Sequence, residues 1–159
     1  MLFGGYDSSA VRQNGTWTWN GAMWTQESPP SPPPPPRAGP SMTYDADLGA
    51  VLLFGGSGEL SVHLGDSWSW NGSAWTPLSR TTPPPARWGA ALAFDEEERR
   101  AVLFGGNNNQ LLDDTWAFGP STPTALPVRR FTTRPARQEV RTGGPRIRYQ
   151  PVSAAPTSP

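Results

Sequence analysis

The chain repeats itself with a period of about fifty residues, and this periodicity restricts the possible folds more than any other feature. The motif LFGG occurs at 2–5, 53–56 and 103–106, so its Phe residues are 51 and 50 positions apart. The phrase WTWNGAMWT at 17–25 returns as WSWNGSAWT at 68–76. A fixed period of this length indicates one supersecondary unit built several times, with neighbouring units packed together to bury their apolar faces.

Within a period the residue pattern predicts four short β-strands. The stretch AVLLF at 50–54 and its copy AVLF at 101–104 are continuously apolar, which is typical of a strand covered on both faces. The stretch AGPSMTY at 38–44 alternates small or apolar with polar residues, as a partly buried strand does. The stretch DSWSW at 66–70 also alternates, which places its two Trp residues on one face.

The repeated tryptophan phrase predicts a β-hairpin. The dipeptide Asn71-Gly72 is a strong signal for a two-residue turn, which would set Trp70 opposite Ser73 and Trp68 opposite Trp75. Residues opposite one another share a face, so three indoles would cover one side of the sheet. We therefore expect the aromatic face of this hairpin to rest on a neighbouring sheet.

Paired glycines follow the apolar strand of every period, at 4–5, 55–56 and 105–106. Glycine at a strand end permits positive φ or lets another backbone come close. These pairs are therefore predicted to lie where sheets crowd together.

The double Gly after an apolar strand, a Trp about a dozen residues later and the period near fifty resemble the kelch repeat. Asp66-Ser67-Trp68 and Asp114-Thr115-Trp116 match the acidic residue before the Trp of that family. The resemblance covers roughly residues 1–119. It implies an all-β, kelch-type β-propeller fragment in which each four-stranded antiparallel sheet is one blade around a central channel.

The landmarks divide the chain into three blade-like units, two connections and a tail. The expected segments are partial kelch blade 1 (1–26), a Pro-rich inter-blade connection (27–37), kelch blade 2 (38–78), a Pro-rich connection (79–87), partial kelch blade 3 (88–119) and a disordered Pro/Arg-rich tail (120–159). Closed propellers typically have four to eight blades. We therefore expect a fragment of a larger propeller, with a misassigned start codon and a shifted reading frame at the end as the alternative origin. Self-association through exposed blade faces is also expected.

The tail differs from the repeat region in charge. Residues 1–119 carry a net charge of −6, whereas residues 120–159, with seven Arg, one Glu and eight Pro, carry +6. Such a composition cannot bury enough apolar surface to offset its ordering entropy, which predicts disorder. Two alternatives are an arm that binds nucleic acid or another anion, and an arm that lies on the acidic repeat region. The SPPSPPPPP run at 28–36 predicts a stiff polyproline connection or, alternatively, a ligand for SH3- or WW-type modules.

Residues for catalysis or metal binding are scarce. The chain has no Cys and a single His, His63, placed in a predicted surface loop, so it predicts no metal site, no cofactor and no catalytic residue. The acidic stretch FDEEERR at 94–100 and the YDADLG stretch at 44–49 are interpreted as hairpin turns rather than as paired catalytic carboxylates or a calcium loop.

A meander of antiparallel strands separates short turns from long connections. The turns 45–49, 71–72 and 95–100 would share one rim, and the connections 6–15, 26–36, 57–66, 76–86 and 107–113 the other. Variable long loops on a rigid scaffold commonly carry binding residues. The candidate binding residues on this long-loop rim are Arg37, Glu59, His63, Arg87, Asn107, Asn108 and Asn109. For Arg37 and Arg87 the alternative is a structural role as a bridge between neighbouring blades.

These features together favour a non-enzymatic binding module that recognises protein or carbohydrate through the long-loop rim. One alternative is part of a propeller enzyme whose active site needs further blades. The other is anion or nucleic-acid binding through the Arg-rich tail, for which affinity would fall steeply with salt. No apolar run is long enough to span a membrane, and no basic start precedes an apolar segment, so neither a membrane partner nor a secretory signal is predicted.

Overall fold

The computed structural model describes residues 1–79, 83–118 and 129–131, and over these it is built from antiparallel β-strands. The strands are β1 (Leu2–Phe3), β2 (Thr16–Trp19), β3 (Trp24–Glu27), β4 (Ser41–Asp45), β5 (Ala50–Ser57), β6 (His63–Trp70), β7 (Trp75–Leu78), β8 (Ala91–Asp95), β9 (Arg100–Phe104), β10 (Thr115–Phe118) and β11 (Arg129–Phe131). A single 3-10 turn at Glu59–Ser61 is the only helical element among the described residues. None of the helical structure in this part of the chain has the length or the apolar content to cross a bilayer.

The strands form three separate sheets, which correspond to the three periods of the sequence. Sheet I has the order β1-β2-β3, sheet II the order β4-β5-β6-β7 and sheet III the order β11-β10-β9-β8. Every pairing is antiparallel. The predicted all-β class and the meander of short strands are therefore confirmed.

Strand β5 is the centre of the stack because both of its faces are covered. Leu52 and Phe54 pack with residues of sheet III, and Leu53 on the opposite face packs with Phe3 of sheet I. All four of these side chains are buried. The continuous apolar run thus predicted burial on both sides correctly for this strand. In β9 the same prediction is wrong at its end, where Phe104 is 52% exposed because no described sheet covers that face.

The aromatic face of the sheet II hairpin rests on sheet I, as predicted. Trp75 meets Phe3 edge-on with ring centroids 4.9 Å apart. The Trp75 indole N–H donates to the Thr16 hydroxyl at 2.8 Å. Trp70 packs in the same cluster, and both indoles are almost fully buried. An indole that is buried and also hydrogen-bonded is well suited to joining two sheets.

The register of that hairpin differs from the prediction. The loop contains four residues, 71–74, so Trp70 pairs with Trp75 and Trp68 pairs with Pro77. The Asn71 side-chain oxygen accepts hydrogen bonds from the Ser73 and Ala74 amides at 3.0 and 2.9 Å. The Asn side chain thus takes the place of a backbone acceptor, and the loop has four residues where a tight Asn-Gly turn has two.

The acidic stretches form hairpin turns, as interpreted from the sequence. In sheet II, Asp45 Oδ1 accepts hydrogen bonds from the backbone amides of Asp47 and Leu48. In sheet III, Asp95 Oδ1 accepts from the amides of Glu97 and Glu98 in the equivalent turn. Arg99 forms an ion pair with Asp47, which joins the turns of sheets II and III. These short turns therefore share one rim of the stack.

Part of the predicted tail belongs to sheet III. Arg129–Phe131 pairs with β10 and gives the sheet its fourth strand, a pairing that the composition of the tail does not indicate. The open edge of β10 presents unpaired backbone groups that an extended segment can satisfy, whatever its overall composition. The rest of the predicted tail, 120–128 and 132–159, lies outside the described residues.

Candidate functional site

Arg37, one of the predicted rim residues, is buried inside the stack of sheets. Its guanidinium donates to both oxygens of Asp66 at 2.7 and 2.8 Å and to the Gly55 carbonyl at 3.0 Å. Trp68 donates its indole N–H to the same Asp66 carboxylate at 2.6 Å. The Arg37 side chain is 0% exposed. A planar guanidinium that faces a carboxylate with two bonds is the geometry in which Arg tolerates burial.

Arg87 repeats this arrangement in sheet III. It donates to the two oxygens of Asp114 at 2.5 and 3.0 Å and to the Gly105 carbonyl at 2.9 Å. Trp116 donates its indole N–H to Asp114 at 2.6 Å. The acidic residue before each Trp is therefore the partner of the buried Arg. We call each set, Arg37 with Asp66 and Trp68 or Arg87 with Asp114 and Trp116, an Arg brace.

The backbone of each Arg is bonded to the preceding sheet. Gly5 donates to the Arg37 carbonyl at 2.9 Å, and Arg37 donates to the Gln13 carbonyl at 3.1 Å. Gly56 and Leu64 hold Arg87 in the same way at 2.9 and 3.0 Å. Each Arg therefore ties one sheet by its backbone and the next by its side chain. These contacts match the structural alternative, a bridge between neighbouring units.

The paired glycines are required by this close approach. Gly55 has φ +66°, and a Cβ at that position would lie 2.4 Å from the Arg87 carbonyl oxygen. Gly4 has φ +70°, and a Cβ there would lie at the same distance from the Arg37 carbonyl oxygen. Both predicted reasons for the glycine pair, positive φ and close backbone approach, therefore apply at these positions.

The Arg brace also sets the charge state of Asp66. Partial burial raises the pKa of its carboxyl, but hydrogen bonds from Arg37 and Trp68 and the Arg37 charge outweigh that effect and lower the pKa below its ordinary value. Asp66 is therefore held as a carboxylate, which keeps the buried guanidinium neutralised.

An open cleft on the long-loop rim is the candidate binding site. It has a volume of about 340 Å³ and draws residues from all three repeat units. Its lining side chains are Tyr6, Arg12, Ala38, Ser57, Ser61, His63 and Trp88. We call this set the rim cleft. Tyr6 and Trp88 are both exposed aromatic residues. By contrast, most aromatic side chains on the strands of sheets II and III are buried or partly buried.

Arg12 is the central polar group of the rim cleft. Its guanidinium lies 5.3 Å from the Tyr6 ring centroid, and one terminal nitrogen donates to the hydroxyls of Ser57 and Ser61 at 3.1 and 3.2 Å. Among the described residues no carboxylate lies within ion-pair distance of Arg12, and its buried Nε has no hydrogen-bond partner. The loop is held in place by a backbone pairing of Tyr6 with Arg12. The cleft therefore offers a positive donor beside an aromatic ring.

His63 lies in the rim cleft, although its setting differs from the predicted loop. It is the first residue of β6 and pairs with Ser57 across the strands. Strand β5 continues through the glycine pair by means of a bulge between Phe54 and Gly56, which shortens the connection to 58–62. Within the part of the chain that the structure describes, no three His, Asp or Glu side chains gather as a metal site would require.

The remaining predicted residues surround the rim cleft rather than line it. Glu59 lies in the 3-10 turn and borders a separate groove with Pro35 and Pro36. Asn107 exchanges backbone hydrogen bonds with Trp88 at 3.1 and 3.0 Å and so fixes the backbone that carries the indole. Asn108 and Asn109 form the adjoining turn, in which Asn109 has φ +81°.

Sequence reasoning missed Tyr6, Arg12 and Trp88 as individual site residues. Tyr6 and Arg12 fall in the long connection 6–15, which was assigned to the correct rim without naming them. Trp88 carried a usable signal, since it stands outside the repeated tryptophan phrases at the position where the preceding unit has Ala38. An aromatic residue that departs from the repeat pattern in a loop is not required by the repeat and is therefore a candidate for ligand contact.

Comparison with known proteins bears on the fold alone. No protein-family model and no curated protein matches the chain. Among the solved chains that match is one described as "Structure of YjhT", with a TM-score of 0.59 at 16% sequence identity. The match covers 80% of this chain and 41% of that chain, so this chain spans less than half the length of that neighbour. At this identity the likeness concerns the fold alone, and with the stacked antiparallel sheets it indicates a β-propeller-like fold.

Proposed function

We propose that the three sheets are blades of a kelch-type propeller and that the chain is a non-enzymatic binding module. The recurrence of the Arg brace and the glycine pair at the same positions of successive units supports the kelch assignment. Three sheets are fewer than the four to eight blades of a closed propeller. Binding is assigned to the long-loop rim, where an open cleft lies between residues of all three units.

The proposed ligand class is carbohydrate, and the observation that carries it is the pair of exposed aromatic rings beside Arg12. Ligand sites are typically concave, about 300 to 1,000 Å³ in volume, with aromatic walls and a few convergent polar groups. A sugar ring presents an apolar C–H face for stacking on Tyr6 or Trp88, and its hydroxyls are suitable acceptors for Arg12. A protein segment carrying an aromatic or polar side chain is the competing ligand class.

The proposal is tested by binding of the full chain to an array of neutral and acidic oligosaccharides, followed by calorimetric titration of each positive sugar. Trp88→Ala should weaken binding by about tenfold or more, because a ring that forms a wall of the site is typically worth over 1 kcal/mol. Trp24→Ala is the matched control, since Trp24 is similarly exposed but does not line the rim cleft.

Two outcomes would contradict the assignment. Equal loss of affinity in Trp88→Ala and Trp24→Ala would place the sugar outside the rim cleft. Absence of binding to every sugar, together with peptide binding that Trp88→Ala weakens, would keep the cleft and replace carbohydrate by a protein partner.

A further inference from the structure

Arg12 differs from the other arginines of the described chain in lacking a counter-charge. The others whose side chains are described each form an ion pair with an Asp or Glu, and they are Arg37, Arg87, Arg99 and Arg100. Every Asp and Glu of the chain except Glu139 is described, and none of those described lies within ion-pair distance of Arg12. A half-buried guanidinium in this position carries a charge that the described part of the fold does not neutralise.

The acidic residue nearest to Arg12 along the chain, Asp7, is engaged within its own loop. Its Oδ1 accepts hydrogen bonds from the amides of Ser9 and Val11, both at 2.9 Å. Its Oδ2 accepts from the side-chain amide of Gln13 at 2.8 Å. These bonds hold the shape of the loop that carries Arg12, so the loop presents the guanidinium in a fixed position without pairing it.

The polar groups around Arg12 are hydrogen-bond donors. Arg12 Nη2 donates to the Ser57 and Ser61 hydroxyl oxygens at 3.1 and 3.2 Å. A hydroxyl that accepts in this way keeps its own O–H to donate, and neither O–H has an acceptor among the described residues. Arg12 Nη1 also has no described acceptor, and it is open to solvent because Nε is the enclosed unpartnered atom of this side chain. Three donor groups therefore meet at the rim cleft.

The surroundings of Arg12 strengthen its attraction for an anion. Its guanidinium lies 5.3 Å from the centroid of the Tyr6 ring, and an aromatic ring on that side keeps water away from one face of the charge. Residues 1–119 carry a net charge of −6, so most of this surface repels anions. No carboxylate lines the rim cleft, which makes it a local positive site on an acidic repeat region.

We propose that the rim cleft binds an acidic sugar, whose anionic group accepts hydrogen bonds from Arg12 Nη1 and the Ser57 and Ser61 hydroxyls. A carboxylate and a sulfate ester both supply the charged oxygens that these donors require. The sugar ring stacks on Tyr6 or Trp88, as in the proposed function, on which this inference rests. A neutral sugar hydroxyl can accept one of the bonds but brings no charge to neutralise Arg12.

A matched set of methyl glycosides tests this charge preference. The set is methyl galactoside, the corresponding uronic acid and the corresponding 6-sulfate, with the same three compounds derived from glucose. The members of each series differ only at C6, so their affinities isolate the effect of that group. Each is titrated into the full chain, and its Kd is read from the Trp88 indole N–H signal by NMR. The acidic members should bind about tenfold more tightly than the neutral ones, the minimum expected of hydrogen bonds to a charged group.

Arg12→Gln should bring the acidic and neutral glycosides to similar affinity. The ratio of the two affinities is the decisive readout because Arg12 also connects the loops of two units. Loss of that connection alone would weaken both classes equally and leave the ratio unchanged. Arg12→Lys keeps the charge and should retain part of the preference. Arg99→Gln is the matched control, since Arg99 is an exposed cation on the opposite rim, and it should leave the ratio at the wild-type value.

The outcomes separate this inference from the proposed function. Equal affinity of the wild type for acidic and neutral glycosides would overturn the acidic-sugar proposal and leave carbohydrate binding in place. A preference that survives Arg12→Gln would also overturn it, because the anion would then be bound elsewhere. Absence of binding to every sugar, neutral or acidic, would overturn the proposal together with the proposed function. A preference that is lost in Arg12→Gln and kept in Arg99→Gln would support it, and the stronger of the two acidic classes identifies the anionic group.

Discussion

At the scale of single residues, the Arg brace explains why a strongly polar side chain occupies the interior. Each guanidinium is taken out of water, which is costly unless its N–H groups and its charge are satisfied. Arg37 meets this condition through Asp66, the Gly55 carbonyl and the Pro35 carbonyl. Removing one partner therefore leaves a buried charge rather than an empty surface position.

Asp66→Asn should destabilise the fold by about 1 to 2 kcal/mol at neutral pH, because the buried Arg37 guanidinium loses its counter-charge while Asp66 itself is 38% exposed and its charge is partly screened by solvent. The pKa of Asp66 is lowered in the folded state, so its contribution to stability is present above its ordinary unfolded pKa of about 4 and is lost as the pH falls through the lower folded pKa. Urea denaturation between about pH 2 and pH 7 should show a shallower acid loss for Asp66→Asn than for the wild type.

Asp47→Asn is the control for this prediction because its partner Arg99 is largely exposed. Exposed ion pairs contribute about 1 kcal/mol or less, so this variant should unfold close to the wild-type midpoint. Equal losses in Asp47→Asn and Asp66→Asn would contradict a special role for the Arg brace.

At the scale of strands, one phrase gives two hairpins with different surroundings. Trp24 and Trp75 occupy the same position of the repeated phrase and pair with Trp19 and Trp70 in the same register. Trp75 is 2% exposed because sheet I covers it, whereas Trp24 is 49% exposed. The hairpin geometry is thus local, and the burial depends on the neighbouring sheet.

Trp75→Ala should cost about 3 to 5 kcal/mol of unfolding free energy, since it removes a buried indole, its contact with Phe3 and its hydrogen bond to Thr16. Trp24→Ala should cost less than about 1 kcal/mol, as expected for an exposed position. Chemical denaturation of the two variants measures the difference. Similar losses would mean that sheet I and sheet II do not support each other in solution.

At the scale of the whole molecule, the three described sheets form a stack with two unlike ends. Sheet I leaves Trp19 and Trp24 exposed, and sheet III leaves Phe104 exposed. In the interior the equivalents of these two surfaces meet, with Trp75 on Phe3. The free ends are therefore complementary, and head-to-tail contact between copies is the arrangement that they favour.

Sedimentation of the full chain should accordingly show association that grows with concentration. Phe104→Gln should shift that association to higher concentration because it places a polar side chain in the end face. Tyr44→Gln is the matched control, since Tyr44 is similarly exposed on β4 of the middle sheet. A wild-type chain that stays monomeric across the concentration range would contradict the expectation.

Features that follow from local pattern were predictable from the sequence. The strands, the glycine pairs and the turns at Asp45 and Asp95 depend on residues close together in the chain and on their alternation. The two-residue turn at Asn71 was predicted wrongly because the Asn side chain closes a longer loop, a choice that the dipeptide does not reveal. The edge strand Arg129–Phe131 was not predicted, because it forms by pairing with the edge of β10 and its own composition does not indicate a strand.

The sequence alone therefore determined the repeat, the strand order and the need of each sheet for a neighbour, because these follow from periodicity and from the burial of apolar faces. Only the tertiary structure decided that Arg37 and Arg87 are buried braces rather than exposed rim residues. It also decided that Tyr6, Arg12 and Trp88 meet in one cleft. The physical reason is that contacts between residues of different units depend on how the sheets stack, and neither composition nor spacing carries that geometry.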